Sequence, residues 1–363
     1  MADLETRLRL VLEELSRDTR EFSIGNHVSV EHGGVEPVAF LRDCVGLSKP
    51  VLVRQDAGVL AWPAHSLWSD DEYMVSYVGD VEVTVALTPD GLADCPVTDG
   101  LFALPKYTRM PFREFWHLLN GCIGKGIVPY LQQQNSSLTE EVPELLRDVP
   151  GGIAWAENSF GKEPEAINLW VGGRPSRTSW HQDHFENIYV VLRGSKTVRL
   201  LPPIDSFRMK LKRYEQQSYD YDDDDDDDDW KLVLVPAQGN TTIKKEDNDD
   251  TRSERVHEEE EKHTVLWSSI LPCSCLEAPG TRSLCSSCLE LDNTGMMPLE
   301  VRVDKGDVLY IPACWWHEIH HTSDDVTIAV NYWYDMTHDV KFASMTAVDT
   351  LSEIFHMNES RHV

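Results

Sequence analysis

The stretch 178–192 reads TSWHQDHFENIYVVL and carries two imidazoles and two carboxylates within six residues, at the head of an apolar run. Burying ionisable groups is costly unless something binds them. If 180–192 runs as one strand, residues two apart share a face. His181 and Asp183 then project together, while Gln182, His184 and Glu186 project the opposite way. An imidazole beside a carboxylate is two-thirds of a 2-His-1-carboxylate facial triad, which holds Fe(II) and leaves positions open for other ligands. By itself H-x-D is a weak pattern, and in most proteins it marks only a polar strand end.

A third ligand has to come from a later strand. The segment 305–321, KGDVLYIPACWWHEIHH, offers His317 after an apolar strand and a proline break, flanked by bulky apolar residues. His320 falls on the opposite parity if the strand continues. His321 has the right parity but lies about 13 Å further on, at about 3.3 Å per residue. His184 reads as a group beside the site or on its substrate side, or as a packed polar residue. In RGSK, Lys196 follows a turn led by Gly194 and opens a strand returning along 188–192. A lysine directed into a barrel must meet an anion or lose its charge.

The combined order of H-x-D, a lysine fifteen residues after His181, and GDVLYIPACWWH resembles the jumonji C (JmjC) oxygenases of the cupin superfamily. LQQQN, PEAINLW, TSWHQDHFENIYVV, LLPP and IAVNYWYDM are similar to the small bifunctional peptidase and (3S)-lysyl hydroxylase branch of that family and its plant relatives. The likeness runs from about residue 49 to about residue 351, with two insertions. It departs at Trp180 and Gln182, where related sequences vary, and at Glu318, which stands where a second histidine is common. The resemblance implies His181, Asp183 and His317 as ligands of Fe(II). It implies 2-oxoglutarate as cosubstrate, its distal carboxylate paired with Lys196 and bonded by Thr178 and Tyr130. Asn187 and Asn331 match amides near the iron-bound end.

The implied reaction consumes O2 and 2-oxoglutarate, releases succinate and CO2, and hydroxylates a protein side chain, with lysine the first choice. N-methyl-lysine demethylation is the same oxidation at a methyl group, followed by loss of formaldehyde. A non-catalytic cupin module that binds metal or a peptide is a different class of reading, and the full set of eight residues argues against it. A peptidase is a third; HEIHH at 317–321 spells H-E-x-x-H but reads as a strand and not the helix that motif needs, and the chain has no nucleophile elbow.

The elements that must position these residues are short strands separated by Gly, Pro and Asp turns. They fall at 51–53, 81–87, 130–133, 166–171, 180–192, 196–201, 299–303, 307–311 and 326–334. This pattern points to an antiparallel barrel or sandwich. With the resemblance, the fold class is mainly β with flanking α: a double-stranded β-helix (jelly roll, cupin) with N-terminal and C-terminal helices. Helices are expected where Ser69 or Asp70 caps 69–74, at 111–119 with proline in the first turn, and at 341–355. Leu4, Leu8, Val11 and Leu15 mark the apolar face of an N-terminal helix. The expected organisation is an α/β extension over 1–125, a barrel over 126–347, and a C-terminal helix and tail over 341–363.

Two insertions interrupt the barrel. Residues 219–262 contain an octa-aspartate and are expected to be a solvated, disordered loop, since like charges repel and cannot pack. Residues 271–295 carry Cys273, Cys275, Cys285 and Cys288, spaced so that four thiolates could close a structural zinc site or remain free.

The formal charge is −29, of which 220–262 contributes a net −12 from 18 acids and 6 bases. Such a chain repels nucleic acid and anionic membranes, so neither is expected as a partner, and its field favours a basic or lysine-containing protein. The resemblance implies a GTP-binding, translation-associated protein or a histone, and leaves a homodimer open. No run approaches the roughly 20 apolar residues of a membrane span, and no targeting segment is evident. Scattered cysteines fit a reducing setting, cytoplasmic or nuclear.

Overall fold

The computed structural model describes residues 2–97, 100–121, 126–221, 232–236, 264–272, 286–295 and 297–359. The short strands assemble into three sheets. The largest has nine strands, ordered Ser29–His32, Val51–Arg54, Val308–Ile311, Phe185–Arg193, Thr327–Asp335, Ala166–Gly172, Val128–Leu131, Glu82–Thr88 and Lys106–Pro111. A second sheet runs Leu299–Asp304, Ser195–Leu201, Trp316–His321, Arg177–Gln182, Leu92–Ala93. Pairing is antiparallel throughout the central strands of both. The two sheets close on a shared core to give the expected jelly-roll sandwich, with flanking helices.

Alternation along the strands sorts the side chains between two cores. Tyr189 and Val191 point between the sheets and meet Val198, Leu200, Leu309 and Ala329. Ile188, Val190 and Leu192 point the other way, where helices cover the large sheet with Trp68, Phe115 and Trp116. A strand buried on both faces needs apolar residues at every position, which is why IYVVL shows no polar alternation. Val51–Arg54 pairs with Val308–Ile311, and Glu82–Thr88 pairs with Val128–Leu131, so the chain before residue 125 widens the same sheet at both ends. A third sheet stands beside the sandwich. Leu211–Tyr221 pairs along its length with Leu101–Leu104, Leu232–Pro236 and Thr264–Ser268, and Cys95–Pro96 completes it.

Four expectations change. Residues 180–192 are not one strand: Arg177–Gln182 belongs to the second sheet and Phe185–Arg193 to the first, with the chain turning between sheets at Asp183–His184. The N-terminal helix, Ala2–Thr19, buries Leu12 and Ser16, whereas Val11 and Leu15 are 52% and 46% exposed. Ser16 faces inward because its hydroxyl donates to Asp205 at 2.6 Å. Proline 111 ends a strand instead of opening the helix, which spans Phe112–Gly121. The acidic insertion is not loop throughout, since residues 219–221 end one strand of the third sheet and Leu232–Pro236 pairs with it. The octa-aspartate at 222–229 lies outside the described residues, as do Cys273, Cys275 and Cys285; Cys288 lies on the helix Ser286–Thr294. Asp70 caps the helix Asp71–Val78 as expected, accepting from the Glu72 amide at 2.9 Å. Among the described residues no helix is long and apolar enough to cross a membrane.

The turn that presents Lys196 depends on Gly194, which has φ +72°. A Cβ there would stand 2.6 Å from Thr327 Oγ1 and 3.0 Å from the Val326 carbonyl. Gly194→Ala is therefore expected to destabilise the fold by about 1–3 kcal/mol, read as a lower urea midpoint with an unchanged slope.

Candidate active site

His181, Asp183 and His317 converge with their ligating atoms within 4.8 Å of one another. His181 comes from the end of Arg177–Gln182, and His317 lies opposite it on Trp316–His321. Asp183 occupies the turn that follows. The turn, and not the expected strand parity, brings its carboxylate beside the two rings. The two turns are stitched together: the Cys314 amide donates to the Asp183 carbonyl at 2.7 Å, and Gln182 Nε2 donates to the Cys314 carbonyl at 2.7 Å. Glu186 accepts from the Ala313 amide at 3.1 Å and the Tyr310 hydroxyl at 2.6 Å, bracing the loop that leads into His317.

The protonation pattern suits a divalent cation. His181 Nδ1 donates to the Ser179 carbonyl at 2.7 Å, and His317 Nδ1 donates to the Trp315 carbonyl at 3.0 Å. A carbonyl only accepts, so each Nδ1 carries the proton and each Nε2 lone pair is free for a metal. Burial and the neighbouring His317 push the His181 imidazolium down to about 4, so the ring is neutral. Burial works against the Asp183 carboxylate, yet positive charge on the imidazole side outweighs it and holds its pKa below the usual range, so the carboxylate favours a cation at that position. His317 Nε2 stands 3.5 Å from Asp183 Oδ2. Two imidazoles whose Nε2 atoms face a carboxylate fit the facial set of non-haem Fe(II).

Behind the triad a cavity is lined by Tyr130, Thr178, Asn187, Tyr189, Asn331 and the three ligands. A β-bulge makes this possible. Thr178 and His181 are three apart and would face opposite ways in a regular strand, but the register shifts between them, and both face inward. Lys196, 0% exposed, closes the far end, its Nζ donating to Tyr189 Oη at 2.6 Å and Tyr130 Oη at 3.2 Å. Burial lowers its ammonium to about 7. The faces of Tyr130, Trp170 and Tyr189 lie 5.3–5.9 Å from Nζ. Trp170 Nε1 donates to Asn331 Oδ1 at 2.8 Å, and Asn331 Nδ2 donates to Asn187 Oδ1 at 3.1 Å, which fixes both amides. Seven of the eight residues singled out in the sequence line this cavity, and the eighth, Lys196, lies behind the lining, bonded to its Tyr130 and Tyr189.

The remaining histidines separate as the pleat requires. His320 lies on the opposite face, 3.6 Å from Glu318. His321 lies on the inner face but beyond Ile319, edge-on to Tyr130 at 5.0 Å. His184 is exposed in the turn. Sequence reasoning missed Tyr189, although its position two residues after Asn187 was a signal. It also missed Trp267, whose indole stacks on His181 at 6.4 Å with a 7° tilt and donates to Ser179 Oγ at 3.0 Å. Trp267 sits beside the insertions, where no local pattern singled it out. An outer cleft of about 390 Å³ leads to the triad, lined by Asp94, Phe102, Tyr107, Gln132 and Trp267.

Comparison with known proteins gives this geometry its context. The family model of the cupin-like domain matches residues 37–340. A lysine-specific demethylase of Arabidopsis thaliana is 35% identical over 345 residues, covering 94% of this chain and 91% of the relative. The bifunctional peptidase and (3S)-lysyl hydroxylase of Homo sapiens is 30% identical over 346 residues, covering 95% and 96%. JmjC domain-containing protein E of Dictyostelium discoideum is 31% identical over 322 residues, covering 84% and 82%. The chain belongs to the cupin-like JmjC family of oxygenases, whose members use Fe(II) and 2-oxoglutarate.

Proposed function

We propose that the protein is an Fe(II)- and 2-oxoglutarate-dependent oxygenase that hydroxylates a lysine side chain of a protein substrate. The observation that carries this reading is one cavity with a His-Asp-His set among its lining and a buried lysine bonded to two of its lining tyrosines. Lys196 meets the distal carboxylate of 2-oxoglutarate. Tyr130 Oη accepts from Lys196 and Thr178 Oγ1 accepts from the Ile319 amide at 3.0 Å, so each hydroxyl keeps its proton to donate to the same carboxylate. The fixed amide of Asn187 keeps its NH2 as a donor on the metal side. Iron, when bound, supplies the activation of dioxygen that splits 2-oxoglutarate into succinate and CO2 and adds the second oxygen atom to a substrate carbon. The chain's own part is to hold the reactants in register and keep water from the site, with Trp267 packed over His181.

A second reading, oxidation of an N-methyl group with loss of formaldehyde, draws on the identity to the Arabidopsis demethylase. Turnover of lysine and methyl-lysine peptides, read by mass, separates them: hydroxylation adds one oxygen atom, whereas demethylation removes one methylene. His181→Ala and Asp183→Ala are expected to abolish succinate release and to weaken Co(II) binding, followed by its visible absorption, on the order of 100-fold. Unchanged turnover in His181→Ala would sink the oxygenase reading.

The lowered Lys196 pKa adds a second test. A bound carboxylate favours the ammonium and raises its pKa, so binding takes up a proton above pH 7 and none well below it. Calorimetry in buffers of different ionisation enthalpy is expected to show about one proton taken up per 2-oxoglutarate near pH 8 and about none near pH 6. Lys196→Met removes the uptake. Uptake that persists in Lys196→Met counts against Lys196 as the anchor.

A further inference from the structure

The outer cleft contains a carboxylate that the cosubstrate reading leaves unused. Asp94 links Leu92–Ala93, which pairs with the Thr178 end of the His181 strand, to Cys95–Pro96 in the third sheet. Its backbone has φ 50°, in the left-handed region that Asp and Asn tolerate best among residues with a side chain. The Asp94 carbonyl accepts from Ser179 Oγ at 2.6 Å, and the Ser179 carbonyl holds His181 Nδ1. One serine therefore ties Asp94 to the metal-side imidazole. The side chain lines the same cleft as His181 and Asp183. Its Oδ2 accepts from Gln132 Nε2 at 3.4 Å, and no cation stands against it among the described residues. Burial with no compensating charge raises its pKa to about 6. Across the cleft, Phe102 and Trp267 form an edge-to-face pair at 5.0 Å.

We infer that Asp94 is the specificity-determining residue of the substrate cleft, accepting the primary ammonium group of a lysine whose methylene carbons face the His181–Asp183–His317 centre. The inference rests on the lysine-oxygenase reading above and sharpens it. A largely desolvated carboxylate with no cationic partner gains most from a cation that also donates hydrogen bonds. An unmethylated lysine brings three N–H donors, and a trimethylated one brings none. The aromatic pair suits the methylene stem, along which lysine buries its carbons while its charge finds a partner. Asp94 is tied to Ser179, two residues before His181, and lines the same cleft as His181 and Asp183. An extended lysine spans about 5 Å from its β carbon to Nζ over four single bonds. An ammonium at Asp94 thus leaves C–H bonds, and not the nitrogen, at the metal.

The test uses the full-length iron-loaded protein with a peptide library bearing one central lysine, and matched libraries with Nε-acetyl-lysine and Nε-trimethyl-lysine. The wild type is expected to add oxygen to the lysine library in preference to both others. Asp94→Asn tolerates the same backbone and keeps the Gln132 contact, so the fold is preserved. It is expected to raise the KM for lysine peptides about 10- to 100-fold while the KM for 2-oxoglutarate holds. Asp94→Glu is expected to recover part of the loss. Wild-type KM for lysine peptides in Asp94→Asn overturns the role of Asp94 and leaves the lysine reading standing. A wild type that prefers trimethyl-lysine, or modifies no lysine library, overturns both.

Discussion

The site depends on one backbone pairing, that of the His181 strand on the His317 strand. These strands run antiparallel with the two histidines opposite each other, and the Ile319 amide bonds Thr178 across 141 residues of sequence. The turns beyond them are joined by the Cys314–Asp183 and Gln182–Cys314 bonds, with Cys314 itself at φ 63°. A left-handed non-glycine residue persists only where its surroundings over-determine it. A slip of one residue in this register would turn His317 outward and Glu318 inward. The metal geometry is therefore a property of sheet pairing, and the ligand residues themselves need supply little of it.

The same pairing creates the polar face behind the site. Opposite the bulge, Glu318 is fully buried and pairs with Arg199 at 2.7 Å, while the Arg199 guanidinium lies over the Trp180 ring at 5.8 Å. Taking either charge alone into this layer would cost several kcal/mol. The pair thus tells the strand which side is out, and WWHEIHH is divided accordingly. His317 and Ile319 face the cavity, His321 follows on the same side against Tyr130, and Glu318 and His320 face Arg199. The buried Lys196 works differently. It has aromatic faces and two phenol oxygens around it but no carboxylate, an arrangement suited to an incoming anion.

Most of the sandwich was legible because its strands are bounded by Gly, Pro and Asp and packed on both faces. Residues 166–171, 196–201 and 326–334 nearly match the observed strands for that reason. The ligand strand was misread because a hydrophobic run does not reveal where a chain leaves one sheet for another. His181 and Asp183 were paired correctly, but by a turn and not by parity. Thr178 could not be put on the same face without the bulge, which depends on the facing strand and not on local sequence. Asp94 and Trp267 were invisible for a related reason: Asp94 joins two short strands and Trp267 lies on another, and the placement of each depends on the third sheet.

That third sheet separates two jobs in space. The metal and cosubstrate end is built from the two sheets of the sandwich, where register and burial fix every group. The outer cleft borrows Phe102 from Leu101–Leu104, and Gln216, Val265 and Trp267 from the two strands that flank the acidic stretch. Leu211–Tyr221 precedes that stretch in sequence and Thr264–Ser268 follows it. Charges at this density raise the local concentration of cations within about 8 Å at physiological salt. On the proposed reading, a cationic substrate would be drawn by the chain's net negative charge, an attraction that salt screens, and held by direct contact at Asp94. Rate of encounter and choice of side chain then answer to different residues, and each can vary without disturbing the strand pairing that holds the metal ligands.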